Sequence, residues 1–176
     1  MLPEYLALGH QCTALETSTF AASVAQSRVK GLGDVPIASH PNQDWTERFD
    51  YVVAFEVLEH IQDDRQAIGD WASWLKPGGL LMISVPAHQR RWNASDTWAG
   101  HCRRYERDSL IDLIQAAGLQ IRTLECYGFP LSNMVQPLRA KAHERQLKSE
   151  NDLTQRSGTE RSGVERPAES RMNGVL

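Results

Sequence analysis

The run YVVAF at residues 51–55 is the feature that most constrains the fold, because it is apolar throughout. A strand with one face in water would alternate apolar and polar side chains, and this run does not alternate. It is therefore predicted to be a central strand covered on both faces, as in a parallel sheet. The run LLMISVP at residues 80–86 has the same character and predicts a second buried strand.

Helical patterns separate the predicted strands. Residues 63–75 carry apolar side chains three and four positions apart, which predicts an amphipathic helix. Asp63 and Asp64 can cap its first amides, and KPGG at 76–79 stops it. Residues 108–118 repeat the scheme with an aspartate as the cap. A further helix is predicted at 18–28, together with a short strand at 12–15, a weaker strand at 36–39 and a strand at 119–127.

Alternating strands and helices imply right-handed crossovers and an α/β, Rossmann-like, doubly wound sheet that is mostly parallel. Residues 1–130 are assigned to this domain. After about residue 139 the chain has few large apolar side chains. Residues 131–176 are therefore predicted to be a polar tail, disordered except for a helix over about 133–148.

The composition excludes several classes of protein. A formal net charge of −3 gives no reason to expect a nucleic acid or an anionic membrane as partner. No apolar run reaches the roughly 20 residues that span a bilayer, and the first residues lack the pattern of a signal peptide. The 3 cysteines are widely spaced, which favours neither disulfides nor a zinc site and is typical of a reducing cytoplasm.

Ligands of open parallel sheets bind outside the carboxyl ends of the strands, so the segments that follow the strands form the candidate site. Glu16 directly follows the first strand, where a carboxylate can accept hydrogen bonds from both hydroxyls of a ribose. The alternative is a charge at a helix start beside Thr17 and Ser18. His60, in EVLEHIQDD, could act as a general base, or this segment could be a solvated turn with capping aspartates.

The long loop at residues 88–107 is rich in arginine and aromatic side chains. Its candidate contacts to a bound molecule are Arg90, Arg103, Arg104 and Tyr105. The arginines could bind a phosphate or carboxylate, or stack on a planar ring. Alternatively, they pair with the acids Asp96, Glu106 and Asp108 and fix the loop. The histidines and the cysteine of this loop lack compact ligand spacing, so no metal is expected.

The order of these landmarks resembles a known family. FDYVVAFEVLEHIQDD, LKPGG and LLMISVPAH are similar to the second half of a class I S-adenosylmethionine-dependent methyltransferase domain, of the kind called type 11, 12 or 23. GHCRRYERDSLIDLIQAAGLQI resembles a segment of one bacterial subset of that family. The resemblance covers about residues 2–130.

The resemblance implies that S-adenosylmethionine is bound and that its methyl group passes to a small-molecule acceptor by in-line displacement at the sulfonium. The implied cofactor contacts are Glu16, Thr17, Asp44, Phe55 and Glu56. Among these, Glu16 would hold the ribose and Asp44 would meet the adenine amine. The loop at 88–107 would cover the acceptor, and its arginines suggest an anionic or planar molecule. His60 would take a proton if the acceptor must lose one.

One part of the family's pattern is not found. A glycine-rich loop should precede the ribose acid by roughly 20 residues, but the fifteen residues before Glu16 contain no G-x-G-x-G. The sequence therefore predicts an N-terminally truncated domain with impaired cofactor binding, and strand edges that favour self-association. A non-catalytic remnant or binding module on the same fold is the alternative. A nicotinamide-dependent oxidoreductase is a third hypothesis, which EVLEHIQDD and LKPGG disfavour.

Overall fold

The computed structural model describes residues 1–127 and residues 140, 141, 143 and 144 of the chain. Strands and helices alternate along it, as predicted for an α/β protein. The helices are α1 (Leu2–Ala7), α2 (Thr19–Val29), α3 (Asp64–Trp74), α4 (Ala94–Ala99) and α5 (Arg107–Ala116). The strands are β1 (Ala14–Leu15), β2 (Ile37–Ala38), β3 (Phe49–Phe55) and β4 (Leu75–Ser84). Short 3-10 turns cover Gln43–Trp45, Leu58–His60 and Gln89–Arg91.

The strands pair in parallel, which confirms the predicted strand direction. Among the described residues they form two parallel pairs, β1 with β2 and β3 with β4. In the longer pair Tyr51 lies opposite Leu80 and Phe55 lies opposite Ser84. The carboxyl ends of β3 and β4 therefore lie side by side, which places the segments that follow them at one edge.

The segment KPGG was predicted to be a turn that ends the helix, but it lies inside β4. Helix α3 ends at Trp74, and the register between β3 and β4 shifts between Phe49 and Tyr51 to accommodate the extra residues. A Cβ on Gly79 would lie 3.0 Å from the carbonyl oxygen of Lys76 and 3.1 Å from that of Phe49. Close approach of the backbone is thus the reason for glycine at this bulge.

The core lies between β3 and two helices. Helix α3 buries Ala67, Ile68 and Trp71, the side chains of the predicted apolar stripe. They pack with Ala54 of β3 and with apolar side chains of α5. The carboxylate of Asp63 accepts a hydrogen bond from the amide of Gln66 at 3.0 Å, so the predicted cap of α3 is confirmed.

The prediction that the strand at 51–55 is covered on both faces is wrong for the described residues. Ala54 packs against the core, but Tyr51 is 53% exposed and Val53 is 37% exposed. On the neighbouring strand Met82 is 44% exposed. A strand has two faces, and the helices described here cover only one of them.

Two further local predictions are corrected. Residues 119–127 form neither strand nor helix, because β-forming composition alone supplies no neighbouring strand with which to pair. Helix α5 begins at Arg107 with Glu106 as the N-cap residue, so Asp108 lies in its first turn and is not the cap. Of the helix predicted over 133–148, residues 140, 141, 143 and 144 are helical and the others lie outside the described residues. No helix in the described ranges is long and apolar enough to cross a membrane.

Candidate functional site

The carboxyl end of β3 is shaped by Glu56, whose φ of 54° is in the left-handed region that non-glycine residues rarely adopt. Its amide donates to the carbonyl oxygen of Ser84 at 3.0 Å, and its Oε1 accepts from the Ser84 hydroxyl at 2.7 Å. These bonds hold the strained backbone at the ends of both strands. Strain of this kind is often found at functional sites, and Glu56 is one of the predicted cofactor contacts.

The turn Leu58–His60 is buried, so the alternative of a solvated turn is wrong. Leu58 and Glu59 are 0% exposed and His60 is 5% exposed. The reason is the loop at 88–107, which lies against this turn: the amide of Cys102 donates to the carbonyl oxygen of Glu59 at 2.7 Å. The thiol of Cys102 also contacts the carbonyl oxygen of His60 at 3.5 Å. The loop therefore covers the turn Leu58–His60.

Asp96 is buried within the loop and binds three other residues of it. It is 1% exposed. Its carboxylate accepts from Nε and Nη2 of Arg104 at 2.8 and 2.9 Å and from the amide of Asn93 at 2.8 Å. It also pairs with Nδ1 of His101 at 3.0 Å. Although burial opposes ionisation, the bonds from His101, Arg104 and Asn93 hold the pKa of Asp96 below its usual value. Asp96 is thus a carboxylate that fixes the ring of His101.

The surroundings of Glu59 disfavour its ionised form, unlike those of Asp96. Neither oxygen of its carboxyl group has a hydrogen-bond partner among the described residues. Burial raises its pKa to about 8, and the nearby acids Glu56 and Asp96 add to this rise. Its Oε1 lies 3.8 Å from Nε2 of His101 and 3.9 Å from Nε2 of His60. Two imidazoles therefore face a buried carboxyl group whose oxygens have no hydrogen-bond partner in the described ranges.

The donor atoms of Glu59, His60 and His101 lie within 4.8 Å of one another, a separation at which they could hold a metal ion. The expectation of no metal depended on spacing along the sequence. Folding brings His101 against a turn that lies far earlier in the chain, so sequence spacing did not reveal the cluster.

Three of the predicted acceptor contacts, Arg103, Arg104 and Tyr105, pair with side chains of the protein itself. Arg103 forms an ion pair with Asp64 and donates to the carbonyl oxygen of Gln62 at 2.6 Å. The hydroxyl of Tyr105 donates to Asp64 at 2.9 Å, and burial together with this bond raises the pKa of Tyr105. Arg104 is buried in its pair with Asp96. These contacts fix the loop against the start of α3.

The alternative that arginines pair with acids and fix the loop is confirmed for Arg104, which pairs with the predicted partner Asp96. Arg103 also forms an ion pair, but with Asp64, which was not among the predicted partners. Arg90 is exposed. An open cleft of about 500 Å³ is lined by Arg103, Arg104 and Tyr105, together with residues of α3 and α5. A role of these side chains in acceptor binding stays a prediction.

The predicted cofactor contacts follow different strands. Glu16 follows β1, and its Oε1 accepts from the amide of Ser18 at 2.8 Å, next to the start of α2. Asp44 is exposed in the turn that follows β2, while Phe55 is half-buried at the end of β3. Because these positions all follow carboxyl ends of parallel strands, their location agrees with the predicted site. Contact with a cofactor stays a prediction for each of them, and for Thr17.

Sequence reasoning missed Glu59, Asp96 and His101 as members of one cluster. A signal was available for His101, which is the histidine of GHCRRYER, the segment already matched to a methyltransferase subset. Glu59 and His60 are adjacent in EVLEH, so the turn itself was found. What local patterns did not contain was the contact between the two segments.

Comparison with known proteins identifies the family. The family described as "Methyltransferase domain" matches residues 1–124, which is more than half of the chain. The chain belongs to this family, and its domain is of the class I S-adenosylmethionine-dependent type.

Curated relatives match over shorter stretches. The chain is 45% identical over 51 residues to a ubiquinone biosynthesis O-methyltransferase of Bradyrhizobium sp. (strain ORS 278), covering 29% of this chain and 19% of that protein. It is 32% identical over 90 residues to the protein of the same name from Rhodopseudomonas palustris (strain BisA53), covering 49% and 35%. A third relative, from Mycolicibacterium smegmatis, is named a probable S-adenosylmethionine-dependent methyltransferase and is 31% identical over 74 residues, covering 41% and 29%. The matches thus span about a third or less of the relatives' length.

Solved structures show the same fold. The YcgJ protein of Bacillus subtilis superposes with a TM-score of 0.62 at 17% identity, covering 79% of this chain and 66% of that one. The [4+2]-cyclase SpnF superposes with a TM-score of 0.60 at 23% identity, covering 87% and 57%. At these identities the likeness establishes the Rossmann-like α/β fold alone.

Proposed function

We propose that the chain binds S-adenosylmethionine and serves methyl transfer to a small-molecule acceptor. The observation that carries the proposal is the family match over residues 1–124. The positions of Glu16 and Glu56 support it, since each acid directly follows a parallel strand at its carboxyl end. In this chemistry the donor is already activated, so the protein contributes orientation and exclusion of water.

The acceptor is proposed to be a small molecule that presents a hydroxyl group. The two relatives from Bradyrhizobium and Rhodopseudomonas are named O-methyltransferases, which favours oxygen as the methylated atom. The cleft beside Arg103 and Tyr105 is the proposed place for an anionic or planar part of that molecule. A hydroxyl must lose its proton on methylation, and His60 is the base that we propose for this step.

Binding of the donor is tested by ligand-observed NMR, which detects weak complexes. We expect weak binding, because the residues before Glu16 contain no glycine-rich loop. S-adenosylmethionine should give saturable transfer signals, and Glu16→Gln should remove most of them because the amide cannot accept from both ribose hydroxyls as a carboxylate can. NADH should give none. Asp50→Asn, on an exposed pair with Lys76, is the matched control. Equal signals in the Glu16 and Asp50 variants would refute the ribose role.

The second candidate is a binding module, or an enzyme that catalyses a different reaction, built on the same fold. Its support is the superposition on SpnF, which is titled a [4+2]-cyclase, since one fold serves several chemistries. Transfer of a labelled methyl group to phenolic test compounds separates the two. Donor binding without any transfer would favour this second candidate.

A further inference from the structure

The cluster of Glu59, His60 and His101 is the polar feature that the proposed function leaves least explained. Both oxygens of Glu59, which is 0% exposed, lack a hydrogen-bond partner in the described part of the chain. A buried polar group without a partner costs about 1–3 kcal/mol, and more when it is charged. The cluster therefore destabilises the fold unless a further group supplies partners for these oxygens.

The spacing of the three side chains indicates what that group is. Oε1 of Glu59 is 3.8 Å from Nε2 of His101 and 3.9 Å from Nε2 of His60, too far for hydrogen bonds. Two ligands of one tetrahedral Zn²⁺, with bonds of about 2.0–2.1 Å, lie about 3.4 Å apart. The two separations from Glu59 exceed this value by about 0.4 and 0.5 Å, and all three donor atoms lie within 4.8 Å of one another.

Asp96 supplies a second, independent argument. Its pair with Nδ1 of His101 at 3.0 Å orients the ring and leaves Nε2 facing Glu59. Arg104 in turn holds Asp96 with two short bonds. Histidines that bind metals commonly donate their other ring nitrogen to a carboxylate in this way, which fixes the tautomer and strengthens the ligand.

We propose that Glu59, His60 and His101 bind a divalent transition-metal ion, with Zn²⁺ the best match. Two imidazoles and one carboxylate suit Zn²⁺, whereas Mg²⁺ prefers oxygen ligands in an octahedron. Three protein ligands leave a position for water or for an oxygen atom of a small molecule. A ring nitrogen of His60 that binds the ion cannot also take a proton, so the metal and base roles of His60 are alternatives. The proposal does not depend on methyl transfer, and neither do its measurements.

Calorimetry of the full chain, stripped with a chelator and titrated with Zn²⁺, tests the proposal. We expect one Zn²⁺ per chain, with the affinity lowered by about 10–100-fold in Asp96→Asn, which keeps all three ligands but weakens the support of His101. His101→Gln and Glu59→Gln should lower it further, because each removes a ligand. His88→Gln is the matched control, since His88 lies in the same loop but pairs with Glu106 near the surface, and it should bind as the parent does.

The visible spectrum with Co²⁺ identifies the ligands. Nitrogen and oxygen ligands give d–d bands without the strong near-ultraviolet band that thiolates produce, and this is the spectrum expected. A thiolate band would place the ion on cysteine and overturn the proposal, as would the absence of stoichiometric binding or unchanged affinity in His101→Gln. Near-ultraviolet circular dichroism establishes that each variant is folded. If His101→Gln does not fold, Glu59→Gln, which keeps the shape of the side chain, decides between the outcomes.

Discussion

The substitution Asp96→Asn should destabilise the fold strongly, although it changes almost no volume. Asp96 is 1% exposed, and its carboxylate makes four short polar contacts, of which two are with the buried guanidinium of Arg104. The amide of asparagine would turn a donor toward donors and leave the charge of Arg104 without its partner. Removing one member of a buried ion pair costs about 3–5 kcal/mol. We expect a loss in this range in the free energy of unfolding.

The matched comparison is Asp50→Asn. Asp50 also pairs with a cation, Lys76, at 2.9 Å, but the two side chains are 70% and 46% exposed. An exposed pair contributes about 0–1 kcal/mol. Urea unfolding followed by tryptophan fluorescence gives both values from the midpoints, provided that the slopes agree. A loss below 1 kcal/mol in Asp96→Asn, or equal losses in the two variants, would refute the argument that burial makes this pair essential to the loop.

Two further predictions concern burial and one concerns a close backbone contact. Because burial raises the pKa of Glu59 to about 8, the fold is most stable below pH 4.5, where Glu59 is neutral in both states, and it loses stability as the pH rises toward 8. With a chelator present, unfolding at pH 5, 7 and 9 should show a decline of up to about 5 kcal/mol that Glu59→Gln removes; identical pH profiles would contradict the shift. Ile68→Ala should lower the free energy of unfolding by about 2–5 kcal/mol, because Ile68 is 0% exposed in the core. Ile121 is 36% exposed, so Ile121→Ala should lower it by less than about 1 kcal/mol in the same urea assay. Gly79→Ala should lower the thermal midpoint, because its Cβ would lie 3.1 Å from the carbonyl oxygen of Phe49; Gly69→Ala, which meets no atom within 4 Å and is helical, should not lower it.

The sequence predicted those parts of the fold that are determined locally. Helix α3 forms within one residue of its predicted bounds, because the apolar period and the Asp63 cap both lie in the helix itself. The cover of the strand at 51–55 could not be predicted in this way, since it depends on which elements lie against each face. The same reason explains the error at 119–127, where composition favoured a strand but no described strand pairs with it.

The sequence predicted the part of the candidate site that depends only on the order of strands and helices. The topology of parallel strands places Glu16 and Glu56 at carboxyl ends, and this rule needs only the order of elements. The pairing of Arg103 with Asp64 and the approach of His101 to Glu59 join segments that are distant in sequence. Polar residues carry no period that would reveal such contacts, so these required the folded chain.

Locating the bound donor tests whether S-adenosylmethionine binds at the carboxyl ends of the strands. Ultraviolet cross-linking of methyl-labelled S-adenosylmethionine to the full chain, followed by peptide mapping, reports which residues it touches. We expect label on peptides that contain Glu16 or Phe55 and Glu56, and excess unlabelled donor should remove it. Label confined to α5 or to peptides after residue 127, or label that unlabelled donor does not displace, would contradict binding at the carboxyl ends of the strands.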